Sequence, residues 1–529
     1  MADVSAGRAL YRTFNPMVRF TFARASARIV GNQGFGTVGG SSEESAGTKA
    51  GSMICTEKAS KAELAPLPPD EVAKRAADHH FGAELNEIAK LALPIVLTNL
   101  GQVAMMATDL AFIGRMGAEA TAAAALAGRI YWISVTFGMG MIWASASFAA
   151  QAFGANNLSL LRRSLRMGLW TGLMLSLPIV IFQLRGEYIL LAFGQAPEAA
   201  LLAQHYLSGV AWSVPPVLSF FVIRTFMGAL NRQTPVLWIT LAGIPLNALL
   251  VYLLMYGNLG LPRLELFGVG LATTVVNISS LLAALWFVTM ARPFSDYRAL
   301  AQFWRLDWSL MRQLVVIGIP ISMSLLVESG ISSAAALLMG LISTKAVAAN
   351  QVAFQVSAFF FMISSGLGMA ATVRVAHAVG RNDGVGVKRT SLAAMLLGIG
   401  IVAVLTLGVI AARFEIAELF LGELVDDADA AIGLGAHLLL VGASAFISAA
   451  VYTIASGSLR GMKDTRVPLL FAGIAYWIIG VSLSYLLGLK IGLGATGVCI
   501  GLSIGAAGYA VLLVWRLKLL VRRLALAKA

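Results

Sequence analysis

Two apolar stretches that begin with proline and end with glycine decide how this chain is built: "PIVLTNLGQVAMMATDLAFIG" (94–114) and "PISMSLLVESGISSAAALLMG" (320–340). As helices, both are long enough to cross a hydrocarbon core of roughly 30 Å. They lie 226 positions apart, and at this offset residues 94–156 align with 320–382 without a gap. Further matches in the alignment are Gly140 with Gly366, Gly154 with Gly380 and Asn156 with Asn382. The chain therefore contains two copies of one unit.

A second internal match supports this duplication. At an offset of 233, Gly228 and Pro235 correspond to Gly461 and Pro468. Each copy holds an even number of membrane-length segments, so both copies enter the membrane in the same orientation. Parallel repeats of this kind occur in secondary transporters, where the substrate path lies between the two halves. We therefore expect a substrate path between two homologous lobes.

Composition places the chain in a membrane. Of its 529 residues, 58% are hydrophobic and 12% charged, whereas a soluble domain carries about 25% charged residues. We expect helices, because isolated strands cannot satisfy their backbone polar groups in lipid. The predicted fold is all-α and integral to the membrane, with twelve transmembrane helices in two pseudo-symmetric six-helix lobes. The predicted spans are 91–113, 124–150, 164–184, 199–226, 235–256, 267–290, 314–339, 346–374, 391–413, 430–456, 467–489 and 494–515.

The same pattern predicts the domain boundaries. We expect a disordered cytoplasmic N-terminal tail (1–87), an N-lobe (88–290), a cytoplasmic linker (291–312), a C-lobe (313–515) and a basic cytoplasmic tail (516–529). The tail has no apolar core of a cleavable signal peptide. Its arginine-rich segment, 8–28, leaves three interpretations open: a contact with the inner leaflet, a transit peptide, or translation that begins at Met53.

The net charge of +13 indicates the orientation of the chain in the membrane rather than a surface that binds nucleic acid. Most Lys and Arg residues lie in the tails and in loops on the side of the N-terminus, and the longest loop on the other side, 414–429, is acidic. By the positive-inside rule, both termini face the cytoplasm, and we expect a multi-pass protein of the cell inner (plasma) membrane. The two cysteines, Cys55 and Cys499, cannot build a metal cluster or a disulfide framework.

Two acids inside the predicted spans are the principal functional candidates, since such a group costs about 2.5–3.5 kcal/mol to insert. Glu328 lies near the membrane midplane, whereas Asp109 lies about 27 Å along the first helix, where an interfacial carboxylate is an alternative. Their repeat mates are Gln102 and Ala335, so each lobe has its own acid. A carboxylate in an apolar cavity binds a proton or a cation, but not both favourably. That competition is the physical basis of antiport.

Other ionisable residues inside the spans are less informative. We expect Arg374 and His377, near the inner end of their helix, to reach towards the interface. Arg129 and Arg224 could pair with acids or reach an interface.

Sequence motifs of enzymes and of ATP-driven transport are missing. The chain has no H-E-x-x-H, G-x-S-x-G or G-x-x-x-x-G-K-[ST] motif. The run "GFGTVGG" (34–40) matches G-x-G-x-x-G but lacks the strand and helix that a dinucleotide site needs. We therefore expect neither enzymatic activity nor an organic cofactor.

Several stretches resemble the multidrug and toxic compound extrusion (MATE) transporters, NorM-like branch. "LALPIVLTNLGQVAMMATDLAFIGRMG" is similar to the first helix of that family, including Pro94, Gln102 and Asp109, and "IGIPISMSLLVESG" to the seventh, including Glu328. The stretches "GIPLNALLVYLLMYGNLG", "AANQVAFQ", "VAHAVGRND" and "ASGSLRGMKDTRVP" are also similar to family signatures. The resemblance covers about 88–520.

The resemblance implies an efflux antiporter with two lobes that rock between outward and inward states. It would export cationic or amphipathic drugs or metabolites in exchange for H⁺ or Na⁺, as a monomer surrounded by membrane lipids. Asp109 and Glu328 would couple transport to the cation, and Glu328 would be a metal ligand only if the ion is Na⁺. The implied cavity residues are Gln102, Asn247 and Gln351.

One departure from the family affects the ion. NorM-like members carry an Asp in the tenth helix, where this chain has Ala449. Loss of that carboxylate favours H⁺, because Na⁺ needs several oxygen ligands. The competing interpretation is a flippase for lipid-linked saccharides, which would need a strongly cationic cavity. The interior offers two acids, and only Arg129 and Arg224 are possible bases in the cavity. This balance of charge fits cationic substrates better.

Overall fold

The structure is a computed structural model that describes residues 69–257, 260, 262–292, 294–297, 300, 303–421 and 428–526. Twelve helices in this part of the chain are long and apolar enough to cross a membrane, which confirms the predicted number. Those of the N-lobe are α1 (Pro69–Gly114), α2 (Ala118–Gly154), α3 (Leu158–Leu184), α4 (Pro197–Ala229), α5 (Thr234–Tyr256) and α6 (Glu265–Met290). Those of the C-lobe are α7 (Trp308–Gly340), α8 (Thr344–Gly380), α9 (Gly384–Ala411), α10 (Ala428–Gly461), α11 (Arg466–Lys490) and α12 (Gly494–Leu526).

Short helices lie between some of these spans. Gly186–Ala192 follows α3, Arg413–Leu421 follows α9, and a 3₁₀ turn, Phe294–Tyr297, lies in the linker. Because α6 and α7 meet at this linker, we call that end of the bundle the linker side and the other end the opposite side.

Three boundaries differ from those predicted. Helix α1 begins at Pro69, so the end of the expected tail is helical, while residues 1–68 lie outside the described part. Its apolar residues Phe81, Leu85 and Ile88 recur at helical spacing and pack in the core, which explains why the helix extends before residue 88. Helix α7 begins within the expected linker, and α12 continues into the expected basic tail as far as Leu526. Charged side chains do not end a helix at a membrane surface, so composition placed these boundaries too far inward.

Two helices depart from regular α geometry. In α4 a 3₁₀ turn, Ala211–Ser213, precedes Pro215 and Pro216, which have no N–H group for the helical hydrogen-bond ladder. Helix α11 is π-helical over Gly473–Val481 and again near its end. Such widened turns are frequent at functional sites. The first of them carries Tyr476, which lies near Glu328, as described below.

The two repeat units have matching loops. Asn156 after α2 and Asn382 after α8 adopt left-handed conformations, with φ of 53° and 55°. Asn tolerates this conformation better than most residues do. The next residues, Asn157 and Asp383, cap α3 and α9 through side-chain oxygens that accept N–H groups at 3.0 and 2.8 Å. Equivalent loops at the predicted offset support the duplication.

Glycines let the lobes approach each other closely on the linker side. A Cβ atom on Gly154 would lie 2.8 Å from His377 Cα, and one on Gly380 would lie 2.9 Å from Ala155 N. These two glycines are repeat mates, so the ends of α2 and α8 pack backbone against backbone around the pseudo-symmetry axis. Small residues permit such approach between membrane helices.

The hydrogen bonds between the lobes lie at mid-depth or on the linker side in the described part of the chain. Asn99 donates to Met362 O and Ser365 Oγ, both at 3.0 Å, and Ser322 donates to Phe137 O at 2.7 Å. Nearer the linker side, the further bonds are Gln151 to Gly461 O, His377 to Ala229 O, and Arg374 and Thr390 to Glu84. The lobes are therefore joined on one side and enclose a cavity towards the other.

Candidate functional site

A cavity of about 440 Å³ lies between the lobes. Helices α1, α2 and α4 line it from the N-lobe, and α7, α8, α10, α11 and α12 from the C-lobe. Its wall is rich in aromatic side chains: Trp132, Trp143, Phe221, Phe354 and Phe361. Ligand pockets of this size with apolar walls and few polar groups bind drug-sized molecules.

Two charged side chains lie on the wall of this cavity. Among the described residues that line it, Glu328 is the one carboxylate and Arg224 the one base. The Arg224 guanidinium donates to Asn99 Oδ1 at 2.5 Å and lies 5.6 Å from the Phe221 ring. Since Asn99 also donates to the C-lobe, Arg224 supports a junction between the lobes, which the sequence did not predict.

The Glu328 carboxylate is held by a tyrosine. Tyr452 on α10 donates its hydroxyl to Glu328 Oε1 at 2.5 Å. The Tyr452 ring packs against those of Tyr476 and Tyr509, with centroids 6.0 and 5.2 Å away. A phenol held in this way stabilises the charged carboxylate, because hydrogen bonds to charged groups are stronger than neutral ones. Ala449 lines the cavity one helical turn before Tyr452.

A second, small pocket of about 40 Å³ shares Glu328 and Tyr452 with the cavity. It extends along α10 to Arg460, whose guanidinium lies 4.6 Å from the ring of Trp143 in the N-lobe. Hydroxyl groups line the space between: Ser324, Ser365, Thr453, Ser456 and Thr465. Glu328 therefore stands between the cavity and a polar pocket that extends towards the linker side.

Asp109 occupies a separate site inside the N-lobe. It is 9% exposed and accepts hydrogen bonds from Asn247 at 2.5 Å and from Thr273 at 3.4 Å. N-lobe side chains therefore enclose the Asp109 carboxylate. Asn247 is fully buried, and its Oδ1 has no hydrogen-bond partner among the described residues. Clustered oxygen acceptors of this kind suit a proton or a small hard cation.

The predicted cavity residues have different outcomes. Gln102 lines the cavity, as expected. Asn247 does not line it, because it points into the N-lobe and binds Asp109. Gln351 is exposed outside it, and its neighbour Asn350 lines the wall instead. One residue rotates a helix by about 100°, so a motif match can name the wrong neighbour.

Two expectations about basic side chains were wrong. Arg374 does not extend to the interface but forms an ion pair with Glu84 at 2.7 Å, and His377 is 2% exposed, with Nε2 2.8 Å from Ala229 O. Glu84 was missed because it lay in the expected tail; it falls on the same face of α1 as the core residues Phe81, Leu85 and Ile88 and is 8% exposed. The described residues contain no group of three or more His, Cys, Asp or Glu side chains that could hold a metal ion.

Comparison with known proteins identifies the family. The family profile MatE matches residues 94–253 and 320–486, together more than half of the chain. The chain is a MATE protein. The two matches begin at Pro94 and Pro320, the pair that opens the internal repeat, so the MATE unit occurs once in each lobe.

Curated relatives place this MATE protein in the NorM-like branch. A probable multidrug resistance protein NorM from Bradyrhizobium diazoefficiens is 53% identical over 447 residues, covering 84% of this chain and 96% of the relative. A protein of the same name from Rhodopseudomonas palustris is 48% identical over 439 residues, covering 83% and 92%.

Solved structures agree with the MATE fold. The eukaryotic MATE transporter AtDTX14 has a TM-score of 0.74 at 19% identity, covering 84% of this chain and 98% of that one. An outward-facing conformation of a multidrug resistance MATE family transporter has a TM-score of 0.76 at 18% identity, covering 83% and 96%. At these identities the likeness concerns the fold alone.

Proposed function

We propose that this MATE protein is a secondary active multidrug efflux antiporter that exports cationic or amphipathic organic compounds in exchange for H⁺ or Na⁺. The observation that carries the proposal is Glu328, the one carboxylate among the described residues on the wall of the cavity between the lobes. An organic cation and a coupling ion compete for this single negative charge, so one leaves as the other binds. The protein works in this scheme as a monomer in the inner membrane, without a catalytic step or an organic cofactor.

The cavity supports the substrate class. Its aromatic walls offer apolar surface and π faces to flat or bulky compounds, and cations are attracted to aromatic faces. Gln102 adds a polar group on the N-lobe wall. The names of the NorM relatives are consistent with multidrug transport.

Both lobes contribute an ion-binding group in this scheme. Glu328 binds the ion beside the substrate, and Asp109 binds one inside the N-lobe, next to Asn247 Oδ1, which has no hydrogen-bond partner in the part of the chain that the structure describes. In the C-lobe, H⁺ fits better than Na⁺, because Ala449 supplies no oxygen ligand to the cavity wall. Any Na⁺ there would depend on Glu328 as its charged ligand.

Charge distribution supports the orientation. The linker side carries the arginines of α3, the linker and the end of α12, so we place it and both termini in the cytoplasm. In this orientation the hydrogen bonds between the lobes close the cytoplasmic half, and the cavity lies towards the outside. Transport by alternating access then requires the linker-side contacts to separate.

A reconstitution experiment tests the proposal. Purified full-length protein in liposomes is given a fluorescent organic cation under a pH gradient, a sodium gradient, or neither. We expect accumulation under the pH gradient and little under the sodium gradient alone. Equal flux under all three conditions would contradict an antiporter.

The flippase alternative finds little support in the cavity. A saccharide pyrophosphate would require several bases, whereas the described lining residues include only Arg224 as a base, opposed by Glu328. Gradient-independent movement of a lipid-linked saccharide in the same liposomes would reverse this conclusion.

A further inference from the structure

The small pocket beside Glu328 follows α10 to the linker-side end of that helix. Thr453, Ser456 and Arg460 line it at spacings of three and four residues, which places them on one face of α10. From Thr453 to Arg460 an α-helix rises about 10 Å. Beyond Arg460 the pocket reaches Thr465, the residue before α11. The pocket therefore extends from Glu328 to the loop that joins α10 and α11.

The pocket is large and polar enough to hold water. Its volume is about 40 Å³, and since one water molecule needs about 10–15 Å³, about three fit. Thr453 is 6% exposed, and its Oγ1 has no hydrogen-bond partner in the part of the chain that the structure describes. Ordered water normally satisfies buried groups of this kind. Water in the pocket would lie between the Glu328 carboxylate and the hydroxyl groups of α10.

One side chain on the pocket wall can release a proton readily. The titratable groups that line the pocket, among the described residues, are Glu328, Tyr452, Arg460 and Tyr509. Phenols and guanidinium groups hold their protons far more tightly than a carboxylic acid does. Serine and threonine hydroxyls both donate and accept hydrogen bonds, so they support a chain of waters. The pocket therefore offers the proton of Glu328 a route that does not pass through the large cavity.

Arg460 stands at the linker-side end of this route. It is 9% exposed, its Nε donates to Ser456 O at 3.3 Å, and its guanidinium lies 4.6 Å from the centre of the Trp143 ring. A fixed positive charge in a narrow path opposes the passage of protons and other cations. Trp143 belongs to α2 of the N-lobe, so separation of the lobes on the linker side removes the contact that holds Arg460.

We propose that this pocket is a water-filled path by which the proton of Glu328 leaves to the linker side, and that Arg460 keeps the path closed while it lies on Trp143. The proton passes from the carboxylic acid to a pocket water and on to solvent, and the carboxylate that remains holds the organic cation. Separation of the lobes frees Arg460 to turn towards solvent, which opens the path. In the proposed antiport, on which this path depends, proton and substrate then approach Glu328 from different sides and need not pass each other.

Proton leak in the absence of substrate tests the role of Arg460. Full-length protein in liposomes that contain a pH-sensitive dye is given a pH gradient, with potassium and valinomycin to clamp the voltage. We expect the wild type to leak slowly and Arg460→Gln to raise the leak at least about fivefold, since a unit charge at close range opposes a cation by that factor even in water. Arg460→Lys keeps the charge and should leak like the wild type.

Two further variants show whether the leak follows the proposed route. Lys463→Gln is the matched control, because Lys463 also lies on an N-lobe ring, 3.8 Å from the centre of Phe148, but does not line the pocket. It should leak like the wild type. Arg460→Gln combined with Glu328→Gln should leak little, because an amide cannot pass the proton on. No added leak in Arg460→Gln, an equal leak in Lys463→Gln, or an undiminished leak in the double variant would overturn the proposal. Thermal unfolding confirms that each variant is folded.

Thr453→Val tests the path without removing a charge. The variant has nearly the same shape but lacks the hydroxyl, so we expect slower uptake of an organic cation under a pH gradient and unchanged affinity for that cation. Thr406→Val is the control, because Thr406 on α9 lies outside the pocket and donates to Val402 O of its own helix. If the wild type accumulates the cation and Thr453→Val does so at the same rate, the path is wrong while the antiport stands. If the wild type accumulates none, the antiport fails, and the leak measurements still decide the role of Arg460.

Discussion

Arg374 on α8 donates two hydrogen bonds to the carboxylate of Glu84 on α1, at 3.0 and 2.7 Å, and so joins the two lobes on the linker side. Thr390 on α9 donates a third at 3.0 Å. The Glu84 and Arg374 side chains are 10% and 13% exposed. Separating the lobes would leave both charges without partners in a poorly solvated place. The ion pair therefore stabilises the state in which the linker side is closed.

Glu84→Gln should weaken this closure by about 3 kcal/mol, because it leaves Arg374 without its counter-charge. Spin labels on exposed linker-side residues of the two lobes, Arg232 and Arg381, would then show a longer distance distribution than in the wild type. Glu87→Gln is the control, since Glu87 forms only an exposed ion pair with Lys90. Identical distributions for the Glu84 variant and the wild type would contradict the role of this pair in closure.

The glycine pair at the ends of α2 and α8 gives a steric prediction. Gly154→Ala or Gly380→Ala should destabilise the structure by about 2 kcal/mol, because the added Cβ meets backbone atoms that cannot move aside independently. Gly114→Ala and Gly340→Ala are matched controls, since those glycines are also repeat mates and have nothing within 4 Å of the added atom. Thermal unfolding in detergent makes the comparison. Equal melting temperatures across all four variants would refute the close approach.

Glu328→Gln should abolish gradient-driven accumulation of an organic cation in liposomes, because the amide can neither carry the ion nor attract the substrate. Tyr452→Phe keeps the carboxylate but removes its hydrogen-bond donor, so we expect it to reduce flux only in part. Substrate uptake under a pH gradient is the measurement. If Glu328→Gln transports like the wild type, Glu328 has no role in coupling.

Asp109→Asn should lower coupled transport while leaving the protein inserted and folded, since it removes the buried charge that Asn247 and Thr273 hold. The neighbouring Thr108→Ala is the control, because the Thr108 hydroxyl only binds the backbone of its own helix. Drug resistance of cells that express each variant is the measurement. A wild-type resistance profile for Asp109→Asn would leave Asp109 with a structural role.

Ala449→Asp should make transport respond to Na⁺, because it adds a second carboxylate to the cavity wall one turn from Tyr452. Ala449→Asn adds similar bulk without charge and should not respond. Uptake is measured at constant pH with and without a sodium gradient. A wild type that already depends on sodium would contradict the preference for H⁺ in the C-lobe.

Much of the architecture could be predicted from patterns that a short segment carries within itself. Apolar length alone located the twelve spans, because the bilayer sets one length for every crossing helix. The repeat from Pro94 and Pro320 revealed two lobes, and an acid in an apolar run singled out Glu328. Helix ends were less predictable, as the early start of α1 at Pro69 shows, since a helix continues through charged residues beyond the membrane.

The sequence did not predict which side chains on distant helices contact each other. Glu328 and Tyr452 are 124 positions apart, and Glu84 and Arg374 are 290 apart. Nothing in either segment specifies which residue of a distant helix will face it, because helix rotation and crossing angle depend on packing against several neighbours at once.

The sequence by itself therefore determined that the chain crosses the membrane twelve times as a duplicated unit, with an acid near the middle of α7. Only the tertiary structure decided that Asn350 rather than Gln351 faces the cavity, that Asp109 and Glu328 occupy separate sites, and that the lobes join on the linker side. Span length is a property of a single segment, and repetition is found by comparing two segments of the sequence. Which side chains meet depends on how twelve helices rotate against one another, and that is settled when they pack.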